Sequence, residues 1–226
     1  MWLAFLLAVA FSASDKNEAE QLFRKMEANL AKAKTLDLAF ETIYGEKNLR
    51  SGQRLKGTLA VTDENQLRLQ VNGGKANATV HLRISDGTRA ITKVEFDDPP
   101  PKVAKTPKKL AANYRNVVAR TGVLPALLPH GYAYANGGGF YNKMFPVSDF
   151  KLGSKEKVGE REAQRLDYVF GIKGEKVTYP VTVWIDVKTE LPLKRLVSDG
   201  GLVWFTETYE LKLDGKLDSK MFELPK

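Results

Sequence analysis

The chain has 226 residues, of which 43% are hydrophobic and 27% charged, a balance typical of a folded protein rather than a disordered one. It contains no cysteine, which excludes disulfides, thiolate metal sites and cysteine nucleophiles, and its two histidines argue against a histidine-rich metal site. The formal net charge of +8 favours a partner that carries negative charge.

The N-terminus begins with an apolar run, WLAFLLAVAF over residues 2–11, which small residues follow at 12–14. A membrane-spanning helix needs about 20 apolar residues, so this run is too short to be one. The pattern predicts a secretory signal peptide over residues 1–14, and a buried N-terminal segment is the alternative. We therefore expect a periplasmic or secreted protein that is not integral to the membrane after cleavage.

Helical spacing of apolar residues comes next and predicts an amphipathic helix over residues 17–34. Asp15 and Glu18 form a capping-box pattern at its start. Its apolar stripe consists of Ala19, Leu22, Phe23, Met26, Leu30 and Ala33.

From Leu36 the apolar period changes to two, which predicts antiparallel strands with one apolar and one polar face. The first block of expected strands covers residues 36–44, 55–61, 67–71, 80–84 and about 88–96. The second block starts near Phe150 and continues over residues 166–172, 177–185, 191–197 and 202–213. Turn signals such as Asp86-Gly87 separate the strands. We expect a single domain over residues 15–226, mainly β with helices (α+β), built on an open, strongly curved antiparallel sheet.

An insertion over about residues 97–150 separates the two blocks. Thr106 and Pro107 predict the start of a helix that ends before Gly122. Between Pro99 and Ser148 there are seven basic residues and no acidic one. The segment is either an ordinary core helix with a solvated lysine face, or a lid, apolar beneath and cationic outside, over a cavity for an anionic amphiphile. The candidate lid residues are Leu110, Tyr114, Val117, Val118, Leu124, Leu127 and Leu128.

Two C-terminal motifs resemble a known family. One is a strand that ends in Trp184-Ile185-Asp186, followed by Leu191-Pro192 and a return strand, and the other is D-x-x-x-F-x-L-P over residues 218–225. Together they resemble the LolA/LolB-like superfamily of outer-membrane lipoprotein-sorting (localisation) factors. The resemblance implies an incomplete β-barrel covered by an N-terminal helix and a helical lid. It also implies an apolar cavity that shields lipoprotein acyl chains in the periplasm, or sensing of the envelope.

The sequence departs from the lipoprotein carriers at one turn. Where the carrier has an Arg-Pro pair that helps to latch its lid, this chain has Thr62-Asp63-Glu64-Asn65. The fold therefore carries over better than the lipoprotein cargo does.

An acyl chain is recognised by buried area, at roughly 0.8 kcal/mol per methylene. The dry faces of the first four strands supply the candidate cavity lining, although the same residues serve equally as a filled core. They are Leu38, Phe40, Leu59, Val61, Leu67, Leu69, Leu82 and Ile84.

Other function classes find little support in the sequence. It contains no G-x-S-x-G or H-E-x-x-H motif, so neither catalysis, a metal nor a cofactor is predicted. Export argues against a nucleic-acid partner for the basic insertion. We expect a monomeric, non-enzymatic exported carrier whose partners are lipid or lipoprotein acyl chains. The alternative is a periplasmic protein-binding or envelope-stress sensing module on the same fold, with the aromatic anchors Tyr132, Tyr134, Phe140 and Tyr141.

Overall fold

The computed structural model describes residues 18–30, 32–46, 52–73, 78–94, 103–106, 146–171, 174 and 176–225. Within these residues there is one α-helix, α1, over residues 18–30. The first strands are β1 (Thr35–Tyr44), β2 (Arg54–Thr62), β3 (Gln66–Gly73), β4 (Ala78–Asp86), β5 (Arg89–Val94) and β6 (Ala104–Lys105). The later elements are β7 (Val147–Val158), β8 (Arg161–Gly171), β9 (Thr178–Asp186), β10 (Pro192–Asp199), β11 (Leu202–Leu213) and the 3-10 helix η1 (Ser219–Phe222).

All eleven strands form one sheet in the order β6-β5-β4-β3-β2-β1-β11-β10-β9-β8-β7. Every pair is antiparallel, and β6 and β7 are its edges, so the sheet is not closed. The pairing of β1 with β11, with Leu38 opposite Leu211, joins the two strand blocks. The predicted open antiparallel sheet and the N-terminal helix are thus confirmed, whereas the helix predicted to follow Thr106 lies outside the described residues.

α1 packs on one face of the second block, which defines the helix-side face of the sheet. Its Phe23 ring lies 5.1 Å from the Phe150 ring and 4.9 Å from the Tyr168 ring, measured between centroids. Residues paired across antiparallel strands share a face. The pairings of β9 with β10, β10 with β11 and β11 with β1 therefore carry this face across the sheet. They place the buried side chains of β1, beginning with Leu36 and Leu38, on the helix-side face.

Two aspartates organise matching hairpin turns, one in each block. Asp86 Oδ1 accepts hydrogen bonds from the backbone N–H groups of Thr88 and Arg89 at 2.9 and 2.7 Å. Asp186 Oδ1 accepts from the N–H groups of Lys188 and Thr189 at 2.9 and 2.6 Å. A carboxylate that satisfies backbone donors in this way fixes the turn, and hence the register of the strands it connects.

The closing motif forms η1. Asp218 caps it by accepting a hydrogen bond from the Lys220 N–H at 3.0 Å, and Phe222 is buried. Arg68 Nη1 donates to the Met221 carbonyl at 3.2 Å, which holds η1 against β3 and β4 on the face opposite α1.

Candidate functional site

The helix-side face of the first block carries an aliphatic cluster. It is defined by Ala33, Leu36, Leu38, Phe40, Tyr44, Leu55, Leu59, Val61, Leu67, Leu69, Val71 and Tyr209. Six of the eight residues predicted to line a cavity meet here, and each is at most 4% exposed. Those six are Leu38, Phe40, Leu59, Val61, Leu67 and Leu69. Whether they bind a ligand stays a prediction, because a buried apolar cluster is also what a filled core looks like.

The other two predicted lining residues lie on the opposite face, which corrects their assignment to the dry side. Ile84 pairs with Arg68 and Leu82 with Gln70, whereas Arg83 pairs with Leu69. The apolar side chains of β4 therefore point away from α1. Ile84 is buried nonetheless, because η1 packs against β4 there.

The helix-side face at β4 is polar instead. Its buried residues are His81, Arg83 and Ser85, which the register places opposite Val71, Leu69 and Leu67. Arg83 Nη1 donates to the Thr92 hydroxyl at 2.7 Å, and the Ser85 hydroxyl lies 2.9 Å from the Thr106 hydroxyl. Polar groups thus border the aliphatic cluster at this end.

A second buried polar group, the Arg195–Glu207 cluster, lies at the other border. It comprises Arg195, Glu207, Thr42, Tyr209 and Tyr168. Arg195 pairs with Glu207 across β10 and β11, and Glu207 pairs with Thr42 across β11 and β1. Arg195 and Glu207 are 0% and 1% exposed, so this ion pair is removed from water.

Glu207 accepts three hydrogen bonds within the cluster. Its Oε2 accepts hydrogen bonds from Arg195 Nη2 at 2.7 Å and from the Tyr209 hydroxyl at 2.6 Å, and its Oε1 accepts from Thr42 Oγ1 at 3.2 Å. Arg195 is less well satisfied, because within the described residues its Nε and Nη1 have no hydrogen-bond partner. The Arg195 Cζ lies 5.2 Å from the centroid of the Phe205 ring, a cation–π distance that helps to fix the guanidinium.

Burial sets the protonation of the cluster. Burial raises the pKa of Tyr168 to about 12 against the opposing charge of Arg195, so the phenol stays protonated. Burial, together with the Glu207 carboxylate, raises the pKa of Tyr209 well above its usual value. Burial alone lowers the pKa of Arg195, but Tyr209 and Glu207 more than offset this and raise it, so the guanidinium stays charged.

The remaining inner face of the second block is an aromatic cluster. Its buried members are Ala19, Phe23, Met26, Leu30, Phe150, Leu166, Tyr168, Phe170, Val181, Val183, Ile185 and Val197. Phe170 stacks on Tyr179, and Tyr179 on Trp204, at centroid distances of 4.9 and 5.4 Å. α1 covers this cluster, which therefore forms a permanent core.

A groove of about 920 Å³ lies on the opposite face. Outward-facing residues of β1, β2, β3 and β11 line one part of it, and the turn between β7 and β8 lines another. Its side chains are mostly polar or charged and include Glu41, Lys56, Gln70, Asn72, Arg161 and Glu210. Nothing in the sequence analysis anticipated this groove, because the turn and the strands that form it are far apart in the chain.

The sequence analysis also assigned no role to the Arg195–Glu207 cluster, although a signal for it exists. Glu207 falls in phase with Phe205, Tyr209, Leu211 and Leu213 in the period-two pattern of β11. A charged residue on an apolar phase indicates a buried charge that needs a partner. The candidate lid residues 110–128 and the candidate anchors Tyr132, Tyr134, Phe140 and Tyr141 lie outside the described residues.

Comparison with known proteins shows a likeness of fold. No family model and no curated protein matches the sequence. The lipoprotein LppX of Mycobacterium tuberculosis matches in structure with a TM-score of 0.50 at 13% identity, over 90% of this chain and 98% of LppX. The LolA superfamily protein NE2245 of Nitrosomonas europaea matches with a TM-score of 0.35 at 11% identity, over 91% of this chain and 97% of that protein.

A third match is a chain of the MucA/MucB complex of Pseudomonas aeruginosa, with a TM-score of 0.44 at 11% identity. The match covers 92% of this chain and 61% of the matched chain. The resemblance expected from the sequence motifs is therefore matched by a likeness of fold to solved structures, without a match in sequence. None of the helical residues that the structure describes forms a stretch long and apolar enough to cross a membrane.

Proposed function

We propose that this protein is a non-enzymatic, exported carrier that binds acyl chains of a lipid or lipoprotein against the aliphatic cluster of β1–β3. The observation that carries the proposal is the division of the helix-side face. Within the described residues, α1 packs on the aromatic cluster, whereas the aliphatic cluster receives only Ala33 from the region that follows α1. The fold shared with LppX supports the same function.

The chemistry of the aliphatic cluster suits such a ligand. Leucine and valine side chains carry no hydrogen-bonding groups, and they form a continuous surface over three neighbouring strands. Burial of ten methylenes contributes roughly 8 kcal/mol before the cost of association is subtracted. A cationic lid over residues 97–150 belongs to this proposal as a prediction, because most of that segment lies outside the described residues.

Native mass spectrometry of the protein purified from its host compartment, followed by lipid extraction, tests the proposal. We expect a co-purifying acyl lipid at close to one molecule per chain. A protein that has the mass of the apo chain, and from which no lipophilic dye can be displaced, contradicts acyl binding.

A matched pair of leucine variants tests where the ligand binds. Leu59 and Leu166 are both fully buried on the helix-side face, the first in the aliphatic cluster and the second in the aromatic cluster. We expect Leu59→Ser to weaken binding of the neutral fluorescent dye N-phenyl-1-naphthylamine at least fivefold, because it removes apolar contact area. Leu166→Ser, with a comparable loss of stability, should change it less than twofold. Equal effects would place the ligand elsewhere.

The groove on the opposite face favours a second function, the binding of an envelope protein. Its mixture of Glu41, Lys56, Arg161 and Glu210 is typical of the polar surroundings of a protein interface. Under this alternative both clusters are filled core, and the protein shows neither a co-purifying lipid nor dye displacement.

A further inference from the structure

We infer that Arg195 is the polar anchor of the acyl ligand, and that it binds the carbonyl oxygen of an esterified or amide-linked acyl group rather than a free carboxylate. The inference rests on the proposed function, since it supposes that an acyl chain occupies the aliphatic cluster. It deepens that function by naming the chemical class of the ligand.

The first step is the hydrogen-bonding inventory of the guanidinium. An arginine side chain offers five N–H donors. Here Nη2 binds Glu207 at 2.7 Å, while Nε and Nη1 have no partner within the described residues. Glu207 accepts from Nη2 alone among the guanidinium nitrogens and makes its other two bonds to Tyr209 and Thr42, so Nε and Nη1 do not bind it. Nε and Nη1 therefore make no well-formed hydrogen bond, and the Tyr168 hydroxyl is the oxygen that the described residues bring near the guanidinium.

The second step is burial. Arg195 is 0% exposed, so water does not replace the missing acceptor at the surface. Leaving a buried donor unpaired is unfavourable, so such a group is completed either by an internal water or by a ligand, and the ligand series below distinguishes the two. The Tyr168 hydroxyl, which stays protonated, interacts with the guanidinium through its oxygen and adds a polar group at the same place.

The third step is position. Tyr209 belongs to the aliphatic cluster and donates a hydrogen bond to the same carboxylate that pairs with Arg195. Arg195 lies on β10, two strands from β1, or about 10 Å at the usual spacing of strands. An acyl chain lying on β1–β3 can therefore present its carbonyl end to the guanidinium.

The charge balance selects the ligand class. Arg195 is already neutralised by Glu207 at 2.7 Å, and α1 brings Glu27 to the same region, where it interacts electrostatically with Tyr168. Since Glu27 is itself paired with Arg24 at 2.9 Å, a carboxylate would be the one uncompensated negative charge among these groups, which is unfavourable in a buried site. A neutral ester or amide carbonyl accepts the two N–H groups without that charge.

A ligand series on the full wild-type chain tests the inference. Displacement of the neutral dye N-phenyl-1-naphthylamine is measured with methyl laurate, dodecyl methyl ether and laurate, which have similar chains and differ at the polar end. We expect methyl laurate to displace the dye at a concentration at least fivefold lower than either of the other two. This series needs no variant, so it gives an answer even where substitutions at Arg195 impair folding.

A double variant assigns the preference to Arg195. Arg195→Met with Glu207→Gln removes the donors and the charge pair together, so that no single charge is left buried. We expect the ratio between methyl laurate and the ether to fall to about one. The matched control is Arg165→Met with Asp167→Asn, an ion pair of 3.1 Å on the opposite face, which should keep the wild-type ratio.

The outcomes separate the inference from the function on which it rests. Equal displacement by ester and ether overturns the anchor and leaves acyl binding intact. Preference for laurate overturns the choice of a neutral carbonyl. Failure of all three ligands to displace the dye contradicts the proposed function itself, and an ester preference that survives in the double variant excludes Arg195 as its source.

Discussion

The two halves of the helix-side face are built from the same kind of strand and are equally buried, but they differ in how their side chains pack. In the half beneath α1, Phe23, Phe150 and Tyr168 pack ring against ring at centroid distances of 4.9–6.1 Å. The other half consists mainly of leucine and valine. Aromatic pairs have preferred geometries and fix the position of the helix, whereas aliphatic side chains adapt to a variable neighbour. The comparison distinguishes a half in which ring contacts hold α1 from a half of adaptable aliphatic side chains, where we propose that the acyl ligand binds.

The largest effect is expected from detaching α1. Phe23→Ala removes the ring that contacts Phe150 and Tyr168, and we expect it to lower the free energy of unfolding by about 3–5 kcal/mol in urea denaturation. Binding of N-phenyl-1-naphthylamine should change less than twofold, because the aliphatic cluster is separate. Glu20→Ala, on the exposed side of α1, is the control, with an expected change below about 0.5 kcal/mol. A joint loss of stability and dye binding would break the distinction between the halves.

A smaller effect is expected from crowding the aliphatic half. The Phe40 ring covers Gly57, and a Cβ atom built there would lie 2.2 Å from Phe40 Cζ. We expect Gly57→Val to lower the free energy of unfolding by about 1–2 kcal/mol, the low end of overpacking, because the ring can move aside. Thr58→Val, the neighbour on the opposite face, is the control. A loss well above about 3 kcal/mol would show that this half is as rigid as the aromatic half.

The smallest effects are expected at the matched turns. Although burial opposes it, hydrogen bonding to Arg89 and Thr88 lowers the pKa of Asp86 to about 2. At neutral pH we expect Asp86→Asn to lower the free energy of unfolding by about 1 kcal/mol, since solvent screens this turn. Because the carboxyl pKa is lower in the folded state, Asp86 stabilises the fold when the pH is above its ordinary pKa of 3.8. This contribution is lost as the pH falls towards the folded-state pKa of about 2. The difference between wild type and variant should therefore shrink in urea denaturation between pH 5 and pH 3.

Asp186→Asn sharpens the comparison between the blocks. The same kind of hydrogen bonding lowers the pKa of Asp186 against the opposing effect of burial, and Arg161 reaches it from β8 at 2.7 Å. Because Asp186 is buried and its partner comes from another strand, we expect a larger loss than at Asp86, with the same direction of pH dependence. A smaller loss at Asp186 would show that turn stability does not follow burial.

Local sequence patterns are enough to predict the main elements and part of the site. Period-two alternation placed the long strands, helical spacing placed α1, and the Asp86 and Asp186 turns marked two of the hairpins, because these signals are local. Six of the eight expected lining residues share one cluster for the same reason. Apolar and polar residues alternate just as clearly in β4, but its apolar residues lie on the face opposite α1. Alternation distinguishes the two faces of a strand without showing which of them meets the helix-side core.

Tertiary structure decided what local signals cannot contain. Which face the apolar side chains of β4 occupy follows from the register of β4 with β3 and from the packing of η1. η1 lies more than 130 residues further along the chain and packs against β4 on the face where Ile84 lies. The pairing of β1 with β11 brings Thr42 and Tyr209 to the Arg195–Glu207 pair. A buried ion pair forms where distant strands meet, because each charge leaves water only when its partner and its hydrogen bonds arrive with it.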